Sequence, residues 1–558
     1  MQRLSVGFSV APLTTYEPGT MMLGWGASYN RVKGVAESLS VRAAYFRDPA
    51  NGRSFAYVCV DLCFISSLLR ARVLAQLQGR HAELGLDTHG LMLTATHTHS
   101  GPSGYSDHLL YSICAPGIFT HVIQALTGSI VDAIVAAADG ARPADLFYHA
   151  EAFPLSTRIA FNRSLKAYNQ NLDVKPLGRG RADEAVDRTM RLLLVQDPTT
   201  SRAMGCICWF GLHATSIHGD NERLHPDHKG LAAMALERTL RGRPEEALPT
   251  FVAIFAQEAA GDVTPNYRFD ATRGFTVGHL GDDLADAHRA AQVQAGHALG
   301  LLRHARHTRP LGGTLGSRTD MQTLAHRPVE VDGELRRFVG HARTRTSPAV
   351  LGLPMTFGTR EGPGPLGPLR GTLQPLLRVW GSNRRRHRKD PKFAVLELGS
   401  NRERRFFNAF DMNESMLREL GTFIFGHHVT AREMFGDDVC ESAWAPETLP
   451  VQIARIGEIV LCGLPVEPTT VAGRRLRRDI LQALRSRDAI INGYANDYAQ
   501  YLTTPEEYTL QRYEGACTLF GPWSLLAWRD IACEIAGALA DDVSPPADGP
   551  TRPAPPTR

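Results

Sequence analysis

The sequence predicts an α/β fold, with a mixed, largely parallel sheet or sheets flanked by helices and the active site at the carboxyl ends of the strands. Two observations lead to this class. Apolar runs of strand length alternate along the chain with segments of helical periodicity, an order typical of parallel strand pairs. Polar side chains follow several of these runs directly. The apolar runs lie at residues 55–65, 91–96, 206–211, 251–256, 458–464 and 489–491.

Helical periodicity fills the intervals between these runs. Leu69, Val73 and Leu77 recur at the spacing of one helix face,. A longer amphipathic helix is predicted over residues 119–140, where apolar side chains form one stripe,. A threonine pair at 469–470 offers an N-cap for a later helix,. The other predicted helices cover residues 231–240, 470–486 and 523–539.

The chain has 558 residues, enough for a large core,. We expect residues 1–542 to form the main domain. Within it, residues 309–391 are rich in Gly, Pro and Arg, which predicts loops or an insertion with weak strands. Residues 543–558 are rich in proline and have little means of burying apolar surface, so a disordered tail is expected,.

Composition excludes several classes of function. A net charge of +4 without basic stripes argues against nucleic-acid binding,. The basic run at 384–389 is expected to be a solvated loop, although such a run also allows peripheral contact with a membrane. We expect no transmembrane segment and no secretory signal. Nine cysteines, several of them in apolar runs, indicate free thiols of a reducing compartment, so a cytoplasmic protein is expected,.

The run at 91–96 leads directly into His97 and His99. In a regular strand, residues two apart lie on the same face, so the two imidazoles could share one metal ion. Alternatively, one is a metal ligand and the other faces the substrate. An isolated His-x-His motif is more often a pair of loop histidines without a functional role.

Other apolar runs end in the same way. His213 follows the run at 206–211, the loop at 261–266 follows the run at 251–256, and Glu467 follows the run at 458–464. Ligands of α/β proteins bind beyond the carboxyl ends of the strands. The four loops are therefore predicted to converge on one crevice.

The motifs together resemble the neutral (non-lysosomal) ceramidase family. The resemblance follows the family's order over nearly the whole ordered chain. The motifs are TATHTHSGP at 94–102, NRSLKAY at 162–168, WFGLHATS at 209–216, QEAAGDVTPN at 257–266, PVEPTTVAGRRL at 465–476, YAQYLTTPEEY at 498–508 and QRYEGA at 511–516.

This resemblance implies a zinc amidohydrolase that cleaves the N-acyl bond of ceramide or a related N-acyl lipid. The implied zinc ligands are His97, His213, Glu467 and Tyr501. The resemblance also places four residues at the reacting centre: His99, Arg163, Thr264 and Tyr513. Imidazole, carboxylate and phenolate are acceptable zinc donors. Zinc polarises a carbonyl and lowers the pKa of water, and both effects favour amide hydrolysis.

Thr264 stands where the family carries a serine that is often described as the nucleophile. Its hydroxyl is retained, but a β-branched side chain is stiffer at χ1. If a covalent acyl-enzyme forms, the change should impair it. If water activated by zinc attacks instead, Thr264 needs only to form a hydrogen bond. We favour this second hypothesis.

Further departures from the family pattern affect the expected substrate more than the expected metal. Arg360 and Glu361 replace a Thr-Asp pair of the family, and Glu258 replaces a small polar residue. The chain also ends where the family continues into an immunoglobulin-like β-sandwich, which suggests a short intracellular form. Two alternatives stay open: a metal hydrolase of the same fold with another amide or ester substrate, and a non-catalytic relative that binds lipid.

Overall fold

A computed structural model describes residues 3–543, except for positions 14, 28 and 109, parts of 112–117 and 332–341, and the segments 381–389 and 399–444. The basic run at 384–389 and the tail from residue 544 lie outside the described residues. The predictions for both therefore stay untested.

In the part of the chain that the structure describes, eight strands form the first sheet. In chain order they are β1 (Leu4–Pro12), β2 (Ser40–Arg47), β3 (Ser54–Val60), β4 (Leu91–Ala95), β5 (Arg142–Ala152), β6 (Thr189–Gln196), β7 (Ala203–Trp209) and β8 (Ala247–Ala256). Their order in the sheet is β8-β7-β6-β5-β1-β2-β3-β4. The β8–β7 and β3–β4 pairs are parallel, and the five pairs between them are antiparallel.

Four strands form a second sheet in chain order: β9 (Leu315–Thr323), β10 (Thr448–Ile456), β11 (Ile459–Gly463) and β12 (Asp488–Asn492). β9, β10 and β11 pair in antiparallel fashion, and β12 lies parallel to β11. β9 belongs to the segment for which loops and weak strands were expected. It is a regular nine-residue strand.

Among the residues that the structure describes, six longer helices flank the sheets. They are α1 (Ser67–Arg80), α2 (Thr120–Asp139), α3 (Asp227–Arg241), α4 (Asp283–Ala305), α5 (Thr470–Leu484) and α6 (Ser524–Val543). As predicted for the threonine pair, Thr469 caps α5, and its side chain accepts a hydrogen bond from the Ala472 amide. Shorter helices span Leu165–Tyr168, Arg370–Trp380, Pro505–Thr509 and Tyr513–Ala516.

The two sheets pack face to face, with helices on both outer sides. Successive residues of one strand point to opposite faces, and the core follows this alternation. On β7, Ile207 and Trp209 pack towards Ile456 and Leu461 of the second sheet. Cys206 on the same strand packs instead among the residues of α3 and α4. The result is a four-layer arrangement of helix, sheet, sheet and helix.

The predicted α/β class with mixed sheets is confirmed, but the expectation that pairing is largely parallel was wrong. Strands β1, β2, β5 and β6, which lie between the parallel pairs, were not predicted as strands. The apolar runs that were predicted are buried on both faces, a pattern typical of parallel strands. Here the double burial has another cause, because each sheet is covered by helices on one side and by the other sheet on the opposite side.

Among the described residues, one helix is long and apolar enough to cross a membrane. This helix is α2, and half of its most apolar stretch is buried in the protein. Val122, Leu126 and Ile130 are fully buried against the first sheet. Its apolar character is therefore explained by packing in the core.

Candidate active site

The three parallel strand pairs of the two large sheets carry the candidate site at their carboxyl ends. His97 follows β4, His213 follows β7, and Glu467 follows β11. The pairs lie in different parts of the two sheets, yet their terminal loops meet. The predicted convergence is thus produced by the parallel pairs alone, inside sheets that are mostly antiparallel.

His97 and His213 face each other through their Nε2 atoms, which lie 3.1 Å apart. Each Nδ1 lies close to a backbone carbonyl, that of Cys63 at 2.6 Å for His97 and that of Ala260 at 2.8 Å for His213. A carbonyl oxygen can only accept, so both Nδ1 atoms must donate. In the neutral rings, both Nε2 atoms therefore present lone pairs to the same point, as metal-binding histidines do.

Glu467 completes a group of three donors. Its carboxylate oxygens lie 3.5 Å from Nε2 of His97 and 3.3 Å from Nε2 of His213. Tyr494 donates a hydrogen bond of 3.2 Å to Oε2, and Tyr498 donates to Oε1, so the carboxylate is held in one orientation. The three donor atoms lie within 4.8 Å of one another. This donor set and its orientation fit a single divalent cation.

Burial controls the protonation of the cluster. It lowers the pKa of His97, although the Glu467 carboxylate opposes this effect. Burial lowers the pKa of His213 well below the ordinary value, and the positive charge of Arg163 acts in the same direction. Both imidazoles are therefore neutral near pH 7, which leaves their lone pairs available to a cation.

His99 also points towards this cluster. Its Nε2 lies 3.1 Å from Nε2 of His97. Its Nδ1 is buried and has no hydrogen-bond partner among the described residues. His97 has a positive φ of 66°, which a regular strand would not contain,. The irregular backbone at His97 lets both rings reach the centre from adjacent sides.

Arg163 joins Tyr501 to the acidic side of the site. One guanidinium nitrogen donates to the Tyr501 hydroxyl at 2.9 Å and to the Gly261 carbonyl at 2.8 Å. The others form ion pairs with Glu361 at 2.7 Å and Glu514 at 3.0 Å. All three guanidinium nitrogens are thus bonded within the protein. Arg163 is better placed to position other residues than to bind substrate.

Tyr501 lies at the edge of the donor group. Its hydroxyl is 3.4 Å from Nε2 of His213. Burial raises the pKa of Tyr501 well above the ordinary value, although the Arg163 charge opposes this effect, so its phenol is protonated unless a metal ion binds it. The half-buried Tyr513 ring packs against Tyr501 edge to face, with centroids 5.4 Å apart.

Thr264 lies on the same side of the site as Arg163. Its hydroxyl donates to Oε2 of Glu361 and accepts the Asn266 amide at 2.9 Å. The Glu361 carboxylate also accepts from Thr215 at 3.1 Å. Thr264 is therefore linked to Tyr501 through Glu361 and Arg163, and its proton is directed towards a carboxylate.

Trp25 forms one wall beside the histidines. Its ring meets the His99 ring edge to face at 5.0 Å and stacks on His218 at 5.6 Å. On the far side of His218, Phe275 continues the stack at 4.8 Å, and the Arg273 guanidinium covers Phe275 at 4.7 Å. This layered stack holds the indole rigidly against His99.

All eight residues that the sequence suggested lie in this one region. The sequence did not assign roles to Tyr494, Tyr498, Glu361 and Trp25. A signal existed for the tyrosines, because the segment 494–513 is unusually rich in that residue. Glu361 was noticed only as a departure from the family pattern. Trp25 gave no local signal.

Fold and site together define a class: an α/β protein with a buried His-His-Glu centre beside a polar cluster. The family profile "Neutral/alkaline non-lysosomal ceramidase, N-terminal" matches residues 4–404 and 435–530. The chain belongs to this family.

Named relatives and solved structures agree with this assignment. The chain is 29% identical to a neutral ceramidase of Pseudomonas aeruginosa over 96% of this chain and 72% of that protein. It is 30% identical to a neutral ceramidase of Mycobacterium tuberculosis, with 96% and 77% covered. The crystal structure of the Pseudomonas enzyme superimposes with a TM-score of 0.73 at 26% identity, over 97% of this chain and 75% of that one. A ceramidase complexed with C2 gives a TM-score of 0.75 at 28% identity, with 99% and 77% covered.

Proposed function

We propose that this protein is a zinc-dependent amidohydrolase that cleaves the N-acyl amide bond of ceramide or a related N-acyl lipid. The products are a sphingoid base and a fatty acid. The observation that carries the proposal is the convergence of two neutral imidazoles and an oriented carboxylate on one point, in a chain whose named relatives are neutral ceramidases.

His97, His213 and Glu467 would hold the zinc ion, with Tyr501 as a fourth ligand at the edge of the group. Zinc, when bound, polarises the amide carbonyl and lowers the pKa of water. A phenolate at Tyr501 is favoured by the positive charge of Arg163, whose nitrogen already donates to its oxygen,.

His99 is the candidate for proton transfer to the leaving amine. Burial lowers the pKa of His99 well below the ordinary value, so the ring is neutral and can accept a proton before donating it. Its unpartnered Nδ1 leaves the ring free of other hydrogen bonds within the described structure. The Tyr513 hydroxyl is the candidate donor to the oxyanion that develops on the carbonyl.

Thr264 is proposed as a hydrogen-bond partner and not as the nucleophile. Its hydroxyl donates to the Glu361 carboxylate, and Glu361 is fixed in turn by the ion pair with Arg163. These bonds hold the polar side of the site rigid while the substrate binds.

The proposed substrate is lipid-like, and peripheral contact with a membrane would deliver it. Support comes from two exposed apolar side chains, Phe269 (64% exposed) and Leu280 (55% exposed). Phe269 lies in a short hairpin formed by the strands Arg268–Asp270 and Phe275–Val277, and Leu280 follows this hairpin by three residues. The Thr276 backbone amide of the hairpin donates to the Arg360 carbonyl beside Glu361. This hairpin therefore joins an apolar surface to the site.

The test measures zinc content and hydrolysis of N-acylsphingosines in the wild type and in His97→Ala. We expect about one zinc per chain at the site and turnover that His97→Ala abolishes. The control is His121→Ala, an exposed histidine that is paired with Glu17 and does not belong to the His97-His213-Glu467 donor group. Equal activity of His97→Ala and wild type would refute the zinc hypothesis.

A second set of substrates separates ceramide from other amides. Short N-acyl amino acids lack the second alkyl chain of ceramide but present the same bond. Turnover of these compounds together with failure on ceramide would favour the alternative of another amide or ester substrate.

A further inference from the structure

A second cluster of metal-ligating side chains lies on the surface, away from the site already described. It consists of His149 and Glu151 on β5 and of His304 on α4. Nδ1 of His304 lies 3.0 Å from Oε2 of Glu151, and Nε2 of His149 lies 3.6 Å from the same oxygen. The three donor atoms lie within 4.8 Å of one another.

The convergence follows from the geometry of the two elements. His149 and Glu151 are two residues apart on a strand, so they point to the same face. His304 lies near the carboxyl end of α4, which packs across this face. The imidazole rings of His149 and His304 meet edge to face with centroids 5.5 Å apart. Both elements are regular, so the donors do not depend on a mobile loop for their positions.

A third histidine fixes the cluster from one side. His297 lies seven residues before His304 on α4 and therefore faces the same way. Its Nε2 lies 3.2 Å from the Glu151 carbonyl, and its ring stacks on Phe153 at 4.0 Å. The backbone of Glu151 is thereby tied to the helix that carries His304.

We propose that His149, Glu151 and His304 form a second metal site, which takes a divalent cation of the zinc class and joins β5 to α4. Two imidazoles and one carboxylate with an open fourth position are a donor set that zinc uses in proteins. Calcium and magnesium prefer six or more oxygen ligands, and this cluster offers a single carboxylate. Zinc, nickel and copper bind well to imidazole.

The side chains are accessible to ions from solvent. The exposed fractions are 29% for His149, 46% for Glu151 and 59% for His304. An exposed histidine–carboxylate pair is not by itself a metal site, and the chain contains such a pair for comparison. His121 and Glu17 lie 3.1 Å apart, but within the described part of the chain they belong to no group of three such donors.

The test is a titration of the full-length, zinc-loaded protein with Zn²⁺ alone, followed by calorimetry and by thermal unfolding. We expect one further equivalent to bind and to raise Tm, because the cation binds the folded state preferentially. The double variant His149→Ala/His304→Ala should lose this equivalent and the rise in Tm. Glu151→Gln should weaken binding by at least about tenfold, and His121→Ala should behave as the wild type.

Retention of the untagged protein on a nickel resin gives a second measurement. The wild type and His121→Ala should be retained more strongly than the double variant. The substitutions are on the surface, and unfolding without added metal checks that each variant is folded. Equal titration and equal retention of the double variant would overturn the proposal. Because these readouts measure binding and not hydrolysis, they hold whether or not the amidase proposal survives.

Discussion

The Nε2 atoms of His97 and His213 lie 3.1 Å apart, with each ring donating through Nδ1 to a backbone carbonyl. In this arrangement the Nε2 lone pairs of the two neutral imidazoles point at each other and repel. The Glu467 carboxylate oxygens, 3.3–3.5 Å from the Nε2 atoms, add negative charge. A cation between them removes the repulsion. We predict that chelation abolishes hydrolysis and lowers Tm, and that added zinc restores both. A chelated protein with unchanged Tm and activity would contradict this.

Thr264 distinguishes two chemical mechanisms. If it acts through its hydrogen bond to Glu361, then Thr264→Ser should retain activity. Thr264→Val should reduce kcat by roughly ten- to a hundredfold, and neither the wild type nor the variants should show a burst of product. The measurement is pre-steady-state product release. A burst in the wild type that disappears in Thr264→Ala would instead indicate a covalent acyl-enzyme.

Arg163 binds two buried carboxylates and the Tyr501 hydroxyl at once. Lysine retains the charge but cannot form these directed bonds. We expect Arg163→Lys to reduce kcat more than it changes KM, because Tyr501 loses its donor. Arg163→Ala leaves Glu361 and Glu514 buried without their partner, which should destabilise the fold by about 3–5 kcal/mol. Urea unfolding would reveal a purely catalytic role if the free energy of unfolding were unchanged.

Trp25 is predicted to shape the substrate side of the site. Its ring contacts His99 and is braced by His218. Trp25→Ala should lower kcat/KM by roughly tenfold, whereas Trp25→Phe should retain most of it. Comparing long with short acyl chains shows whether the indole contacts the alkyl chain. Equal losses for both chain lengths would assign Trp25 to the positioning of His99 alone.

His225 gives a prediction for stability against pH. Burial lowers the pKa of His225 from 6.5 to about 4, and the ring is 1% exposed. A group with a lowered folded-state pKa stabilises the fold above its unfolded pKa, and this contribution is lost as the pH falls from 6.5 to about 4. Between pH 7.5 and 5 the loss should be about 2 kcal/mol. The free energy of unfolding, measured with urea, should fall by this amount more in the wild type than in His225→Asn, whose side chain does not titrate in this pH range. Equal changes in the free energy of unfolding of the two proteins would contradict the prediction.

The local sequence was sufficient to predict the strands and the helix cap that position the candidate site residues. The strands β3, β4, β7, β8, β11 and β12 are continuous apolar runs, so each was visible in a short window. The loops after these strands hold His97, His213 and Glu467 because the carboxyl ends of parallel strands are where such loops meet. The helix cap at Thr469 was visible for the same local reason.

Pairing between distant segments was decided by the tertiary structure. Strand β1 lies between β2 and β5, and neither neighbour was predicted, so the antiparallel middle of the first sheet escaped notice. The contacts of Glu467 with Tyr494 and Tyr498, and of Arg163 with Glu361, also join separate segments of the chain. Periodicity reports which face of an element is apolar, but not which other element covers that face.

The sequence by itself thus determined the α/β class, the family and the residues that meet at the candidate site, because these depend on short motifs and on burial along single strands. Only the tertiary structure decided the four-layer packing, the mostly antiparallel pairing and the tautomers of His97 and His213. It also brought His149 and Glu151 to His304, 153 residues further along the chain from Glu151. These features depend on distances between segments, which folding sets and local composition does not encode.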